Sequence, residues 1–414
     1  MHIVVAGGGI GGLALAAGLR RNGFDVSVFE RDIDVAATGG YHLTLDGRAQ
    51  SALQKLLSPK AFERFLASSS ALRLRERDAF WDRRGRLLGR GPDLGNNPGV
   101  DIDRITLRTI LAESAGADLV LGRTVSAVSR TDDGKPRVVF SDGSALGCDL
   151  LVGADGTRSL VARHLAGSQT NWPAGIVGFS GRTAAYDLSL LERQRLGPRS
   201  GFAIGPRGTA LYVGYLDPEG NAVLEATDLR AAVTTVPTYI WGAMFTESAT
   251  TDGMRDRRGP ELQAALLARF RRNGWSTRSL EVVARADPDS VAAFRFNAAS
   301  TRAADLAPWP AGAITALGDA VHATPPTAGA GAGAAIRDAA SLVAHMDQVA
   351  SGDLTLAVAI SRFEADMRIR GSEVLALAMK TVRLIRATDT PLGAPVVAAA
   401  APVMAAVSRL TRRR

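Results

Sequence analysis

Short apolar runs alternate with helix-spaced stripes at the start of the chain. Residues 2–6, HIVVA, form a continuous apolar run of strand length, and residues 10–22, IGGLALAAGLRRN, place apolar positions at the 3.6-residue spacing of a helix. A second strand is predicted at 25–30, DVSVFE. Glycines punctuate the first strand–helix junction, so the opening reads as a βαβ unit. Residues 46–68 read as helical, two short strands flank the RRGR turn within 72–90, and DIDRITLRTILAESA predicts a helix starting near Asp103. Residues 117–156 alternate and turn like a β-meander that returns to a buried strand at DLLVGAD.

The texture changes at about 175. GFAIGPRGTALYVGYL has a Pro-Arg-Gly turn between alternating runs, PTYIWGAMFT and VAAFRFNA are further strands, and one helix, 260–272, interrupts them. After 311 the earlier strand-and-helix texture returns and helices run to the end. The pattern predicts an α/β fold in which a discontinuous nucleotide-binding domain carries an inserted antiparallel sheet.

Composition removes several function classes. The 414 residues are 46% hydrophobic and 22% charged, as in a globular chain. The single cysteine, Cys148, excludes an internal disulfide framework, and its apolar setting in LGCDLLVGAD predicts a buried, inert thiol. Net charge is +8, yet lysine occurs only at 55, 60, 135 and 380, arginines are interleaved with acids, and the dense basic cluster is confined to the final RLTRRR. Nucleic acid is therefore not an expected partner. No basic n-region or cleavage site precedes the first strand, and no window holds an uninterrupted apolar run of spanning length. The expectation is a cytoplasmic protein without a membrane partner. PLGAPVVAAAAPVMAAVSRL is expected to form a terminal helix pair packed on the body.

Two glycine-bearing stretches carry chemistry. Gly7-x-Gly9-x-x-Gly12 lies between a strand and a helix: Gly7 permits the turn, Gly9 lets a diphosphate approach the backbone, and Gly12 lets helix and strand pack closely. Glu30 ends the second strand, where a carboxylate can take both hydroxyls of an unphosphorylated ribose. NAD and FAD both fit this fingerprint. The stretch GDAVHATPPTAGAGAG, 318–333, separates them. Asp319 at a strand end can bind a polyol chain, Pro325 and Pro326 form a rigid wall for a flat ring, and Gly329, Gly331 and Gly333 let backbone amides reach that ring. The dipole of the following helix favours negative charge there. This segment is shaped for the ribityl chain and isoalloxazine of FAD.

With these motifs the chain resembles the single-component FAD-dependent aromatic hydroxylase and monooxygenase family, the group of para-hydroxybenzoate hydroxylase and the tetracycline-inactivating monooxygenases. GGGIGG with Glu30 matches its ADP-binding motif, and DLLVGADGTRS matches its Asp-Gly motif at Asp155 and Gly156. GDAVHATPPTAGAG matches the Gly-Asp motif, and RITLRTIL matches the helix whose first arginine, here Arg104, contacts the flavin. The resemblance covers nearly the whole length. The sequence departs from the pattern at Ala162, where an arginine is usual, and at Gly333, where an asparagine is common. The expected cofactor set also takes in Arg31, Val125, Pro326 and Ala332.

The resemblance implies a domain order: FAD-binding parts at 1–75, 101–174 and 299–350, a substrate-domain hairpin at 76–100, a substrate-binding sheet at 175–298, and C-terminal helices at 351–414. It implies an NADH- or NADPH-consuming monooxygenase that acts through a C4a-hydroperoxyflavin on an aromatic or polyketide-like small molecule, as a monomer or homodimer, in specialised metabolism or antibiotic modification. Epoxidation, flavin-dependent reduction and a non-catalytic binding module are the alternatives on this scaffold.

No catalytic acid–base pair is expected, because the flavin carries the chemistry. His322 belongs to the Gly-Asp motif and reads as structural, and the other four histidines, at 2, 42, 164 and 345, make no metal pattern. For substrate, Tyr239, Trp241 and Phe245 fall on one face of a strand at period two, a row that can line a pocket or pack the sheet on a helix. Phe294 and Pro325 complete the candidate substrate surface.

Overall fold

The computed structural model describes residues 1–38 and 42–390. Its first sheet is wholly parallel, in the order Ile314–Ala316, Leu150–Gly153, His2–Ala6, Asp25–Phe29, Leu119–Val120. The central strand His2–Ala6 is buried from Ile3 onward, which explains its unbroken apolar run. The helix Ile10–Arg21 crosses one face and packs on the helix Gly331–Ala350.

Register matters more than composition here. Ala6 pairs with Gly153 and Phe29, and Gly153 pairs with Ala316. The strand ends are therefore level. The segments that follow them, beginning at Gly7, Ala154 and Leu317, emerge side by side at the carboxyl edge of the sheet, where open α/β sheets bind ligands.

The second large sheet has seven strands, ordered Ala292–Ala298, Trp172–Ala184, Thr238–Thr246, Thr209–Leu216, Gly201–Gly205, Ala79–Trp81, Leu87–Arg90. It is antiparallel except where Gly201–Gly205 runs parallel to Ala79–Trp81. In the tight turn at Pro206-Arg207-Gly208, Arg207 and Gly208 both have positive φ, 56° and 64°, as a primed hairpin turn requires. Short helices Ala249–Arg255 and Glu281–Ala284 flank the helix Gly259–Arg272, so the expected single helix is one of three that cover one face. The other face meets the end of the helix Leu356–Ala387 through Val382 and Ile385.

The helical stretch expected at 46–68 is two helices, Gly47–Leu56 and Pro59–Ala67. Ser58 caps the second by accepting from the Ala61 amide, and Pro59 takes its first turn, so the break has a local cause. Three-stranded sheets at Val125–Gly147 and His42–Asp103 complete the body. The expected terminal helix pair at 391–410 lies outside the described residues. Among these residues no helix is long and apolar enough to cross a membrane, and no cluster of His, Cys, Asp or Glu could hold a metal ion.

Candidate functional site

A cavity of about 420 Å³ lies between the carboxyl edge of the parallel sheet and one face of the seven-stranded sheet. Its nucleotide side is made by Gly9, Ile10 and Gly11. A Cβ on Gly7 would stand 2.4 Å from the Ala154 carbonyl oxygen, so this glycine, at φ 108°, lets two loops touch. A Cβ on Gly9 would meet nothing within 4 Å. The cradle is thus closed behind and open in front, as a diphosphate requires.

Both long helices that begin at the cavity wall, at Ile10 and Gly331, lack a side-chain cap. By contrast Asp46, Ser58, Asp103 and Thr355 cap the helices they precede. The uncapped first-turn amides are available to an acceptor in the cavity.

Glu30 is buried, accepts from the Gly8 amide at 2.6 Å and the Asp32 amide at 2.9 Å, and so fixes the loop beside Gly9. Arg108, which sequence reasoning passed over, organises the same loop. Its Nε donates to the Gly8 carbonyl at 2.9 Å, and its Nη1 donates to Asp32 at 3.0 Å and the Val35 carbonyl at 3.1 Å. It stands four residues after Arg104, one turn along the same helix face, which was the available signal. Arg104 itself lines the cavity.

Asp319 opens into the cavity beside Gly318 and Gly331. Its accessible surface belongs to that interior wall, and the protein packed around it pushes its carboxyl above the usual range, against the pull of His322. It accepts from the Thr324 amide at 3.2 Å. Asp155 sits behind the wall, where it accepts from Ser159 Oγ and the amides of Leu160, at 2.7 Å, and Val161, while Gly156 reaches the cavity. Pro326, Gly329, Gly331 and Ala332 form the wall opposite the sheet, with Gly329 at φ 63°.

Other expected residues stand elsewhere. Arg31 is exposed beyond the second strand, and Val125 packs beside Phe29 and Phe140 under the parallel sheet, off the cavity. Pro325 is buried and only Pro326 faces the space, so the flat-ring wall is the second proline.

The aromatic row on the strand Thr238–Thr246 requires a larger correction. Tyr239 and Phe245 do not line the cavity. They pack with Leu262, Leu266 and Phe270 in the core under the helical layer, and Tyr239 Oη donates to the Gly197 carbonyl at 2.9 Å. Trp241 is 1% exposed in the same core and touches the cavity wall. The face turned to the cavity carries Ile240, Gly242 and Met244, joined by Phe202, Tyr212 and Phe294 from neighbouring strands. The helices claimed the larger apolar surface. A glycine in mid-strand, Gly242, was the signal for close approach of a ligand.

Comparison with known proteins agrees with this geometry. An FAD binding domain family matches residues 271–357, and an NAD(P)-binding Rossmann-like domain family matches residues 5–46. Chloroplastic zeaxanthin epoxidase of Nicotiana plumbaginifolia is 27% identical over 85% of this chain and 49% of its own length. The chain spans about half the length of the plant epoxidases it matches. A Photorhabdus luminescens protein assigned as an FAD-containing monooxygenase superposes with a TM-score of 0.76 at 25% identity, covering 92% of this chain and 98% of that one. HpxO of Klebsiella pneumoniae, solved with FAD and uric acid, has a TM-score of 0.75 at 21% identity, with 98% and 92% covered, and so shares the fold.

Proposed function

We propose that this chain, a member of the FAD-dependent aromatic hydroxylase and monooxygenase family, inserts one oxygen atom of O2 into an electron-rich aromatic or polyketide-like small molecule. NADH or NADPH is the electron donor. The observation that carries this reading is the meeting of Gly9, Gly156 and Asp319, each three residues past its own strand end, at one cavity whose far wall is an apolar sheet.

The residues fit FAD. Gly9 and the first-turn amides after it would take the diphosphate, Glu30 the adenosine ribose, and Asp319 the ribityl hydroxyls. The tricyclic ring would rest against Pro326 and the backbone from Gly329 to Ala332, beneath the sheet. When bound, FAD supplies hydride acceptance and the activation of O2. The chain supplies the rest: the uncapped helix at Gly331 would favour negative charge on the ring, Arg104 borders the cavity, and Ile240, Met244, Phe202 and Phe294 would keep water from the reacting centre. HpxO, solved in complex with uric acid, is an example of a protein of this fold that binds a heterocycle.

The test is the visible spectrum of the purified protein, followed by anaerobic NADH or NADPH with a panel of phenols and polyketides. Flavin bands that bleach faster with one compound support the reading and identify its substrate class. Protein that carries no flavin and takes none up overturns it. Alkene epoxidation is a second reading, favoured by the zeaxanthin epoxidases among the relatives.

A further inference from the structure

A second cavity, of about 350 Å³, shares the short helix Asp319–His322 with the first. Val321 lines the second and Asp319 the first, so a single turn of helix separates them. Its walls are residues 166–172, which lead from the helix Leu160–Ala166 into the strand Trp172–Ala184, and the corner 300–309. Two of the chain's five tryptophans line this one space. Trp172 stands at the mouth, 56% exposed. Trp309 is 5% exposed, and its Nε1 donates to the buried Glu364 at 2.9 Å, which anchors the ring in the wall. The corner that carries Trp309 is strained: Ala307 has φ 47°, a left-handed backbone that alanine seldom adopts. Arg368 clamps the turn from behind, donating from Nε to the Leu306 carbonyl at 2.8 Å and from Nη2 to the Ala307 carbonyl at 2.7 Å. Strain held in place by a dedicated side chain is a feature of ligand clamps.

Charge decides what these walls would take. The chain carries a net charge of +8, yet among the residues that line this cavity there is no Lys, Arg or His, and the one ionisable group is Asp305. Ser300 Oγ donates to Asp305 Oδ2 at 2.7 Å. Arg302 Nε lies 3.8 Å from the same oxygen on a side chain 78% exposed, a solvated pair of little strength. Both contacts fall on Oδ2, which leaves Oδ1 to a ligand. An anion would meet a carboxylate with no cation in the wall. A neutral apolar ring would cover that carboxylate without replacing its water. A compact organic cation suits both parts, because indole faces attract it and the carboxylate balances its charge.

We propose that this second cavity binds a small organic ammonium ion, held by Trp172 and Trp309 and balanced by Asp305. The site stands apart from the oxygen-transfer reading above and does not depend on it. Thr170, in the same wall, donates from Oγ1 to the Ala320 carbonyl at 3.4 Å, so the site is tied to the helix that presents Asp319 to the first cavity.

The test is calorimetric titration of the purified protein, in the presence of excess FAD, with choline and with 3,3-dimethylbutan-1-ol, which has the same shape without the charge. Choline should bind at least about tenfold more tightly than the alcohol. Trp172→Leu changes an exposed position, so it should fold as the parent does and lose choline affinity by about tenfold. Asp305→Asn can keep the Ser300 contact and should bring the two affinities together. Equal affinity for the two probes in the parent, no saturable heat with choline, or an unchanged choline affinity in Trp172→Leu overturns the proposal.

Discussion

A methyl group built on Gly12 would stand 2.0 Å from the Gly7 carbonyl oxygen. That contact is backbone, and no rotamer relieves it. The helix Ile10–Arg21 therefore lies against the end of the first strand as closely as its backbone allows, which holds its first amides at the cavity wall. Gly12→Ala should push the helix away and destabilise the fold by about 1–3 kcal/mol, with loss of flavin. Gly9→Ala meets nothing within 4 Å and should melt as the parent does, yet bind flavin more weakly. Melting curves and flavin content on both variants check this pair of outcomes. If Gly9→Ala retained full flavin affinity, the diphosphate would lie elsewhere.

Asp319 combines a raised carboxyl pKa with a place in the cavity wall. A carboxyl raised in the folded state binds more protons folded than unfolded, so its ionisation lowers stability as pH rises through the window above the ordinary value of 3.8. Asp319→Asn should thus stabilise the flavin-free protein at neutral pH and leave it unchanged at low pH. The same variant should bind FAD roughly tenfold to a hundredfold more weakly, the loss expected for hydrogen bonds to a charged acceptor. Melting temperature against pH, with a flavin titration, measures both effects.

The cofactor half of the site was legible because its constraints are local. Gly7, Gly9 and Gly12 each answer a backbone demand that spacing alone displays, and strand ends at Glu30 and Asp319 are visible as apolar runs that stop at an acid. Their meeting is a property of register in a parallel sheet, which level strand ends guarantee. The substrate half depends on which face of the strand Thr238–Thr246 turns inward. Period two defines two faces, but the choice between them belongs to the helix Gly259–Arg272, which buried the aromatic one.

That choice of face has its own test. Tyr239→Phe deletes only the hydroxyl that donates to the Gly197 carbonyl, and should cost about 1 kcal/mol without altering ligand binding. A Cβ on Gly242 would lie 3.9 Å from Tyr212 Cβ, in ordinary contact, so Gly242→Val should fold and fill cavity space instead. The expected outcome is normal flavin content with a raised KM for a bulky substrate. Steady-state kinetics beside thermal melts separate the two variants, and a Tyr239→Phe variant with altered KM would return the aromatic row to the pocket.

His322 and Asp338 meet at 2.6 Å with both side chains fully buried, and Arg370 Nε reaches the other Asp338 oxygen at 3.1 Å. The pair joins the short helix Asp319–His322, the helix Gly331–Ala350 and the helix Leu356–Ala387 directly behind the cavity wall. Burial opposes charge on the imidazole, but the Asp338 carboxylate, with Asp319 beyond it, holds its pKa above the ordinary 6.5. A raised folded-state pKa gives stability that is fully present below 6.5 and lost as pH rises through the raised value. The melting temperature of the parent should therefore fall as pH rises above 6.5. Asp338→Asn removes the partner of a buried charge, should cost about 3–5 kcal/mol, and should flatten that slope. Melting curves from about pH 6 to about pH 9 on parent and variant decide the matter: an equal slope in the two would mean that His322 stays neutral and that Asp338 serves Arg370 and the Gly318 amide alone.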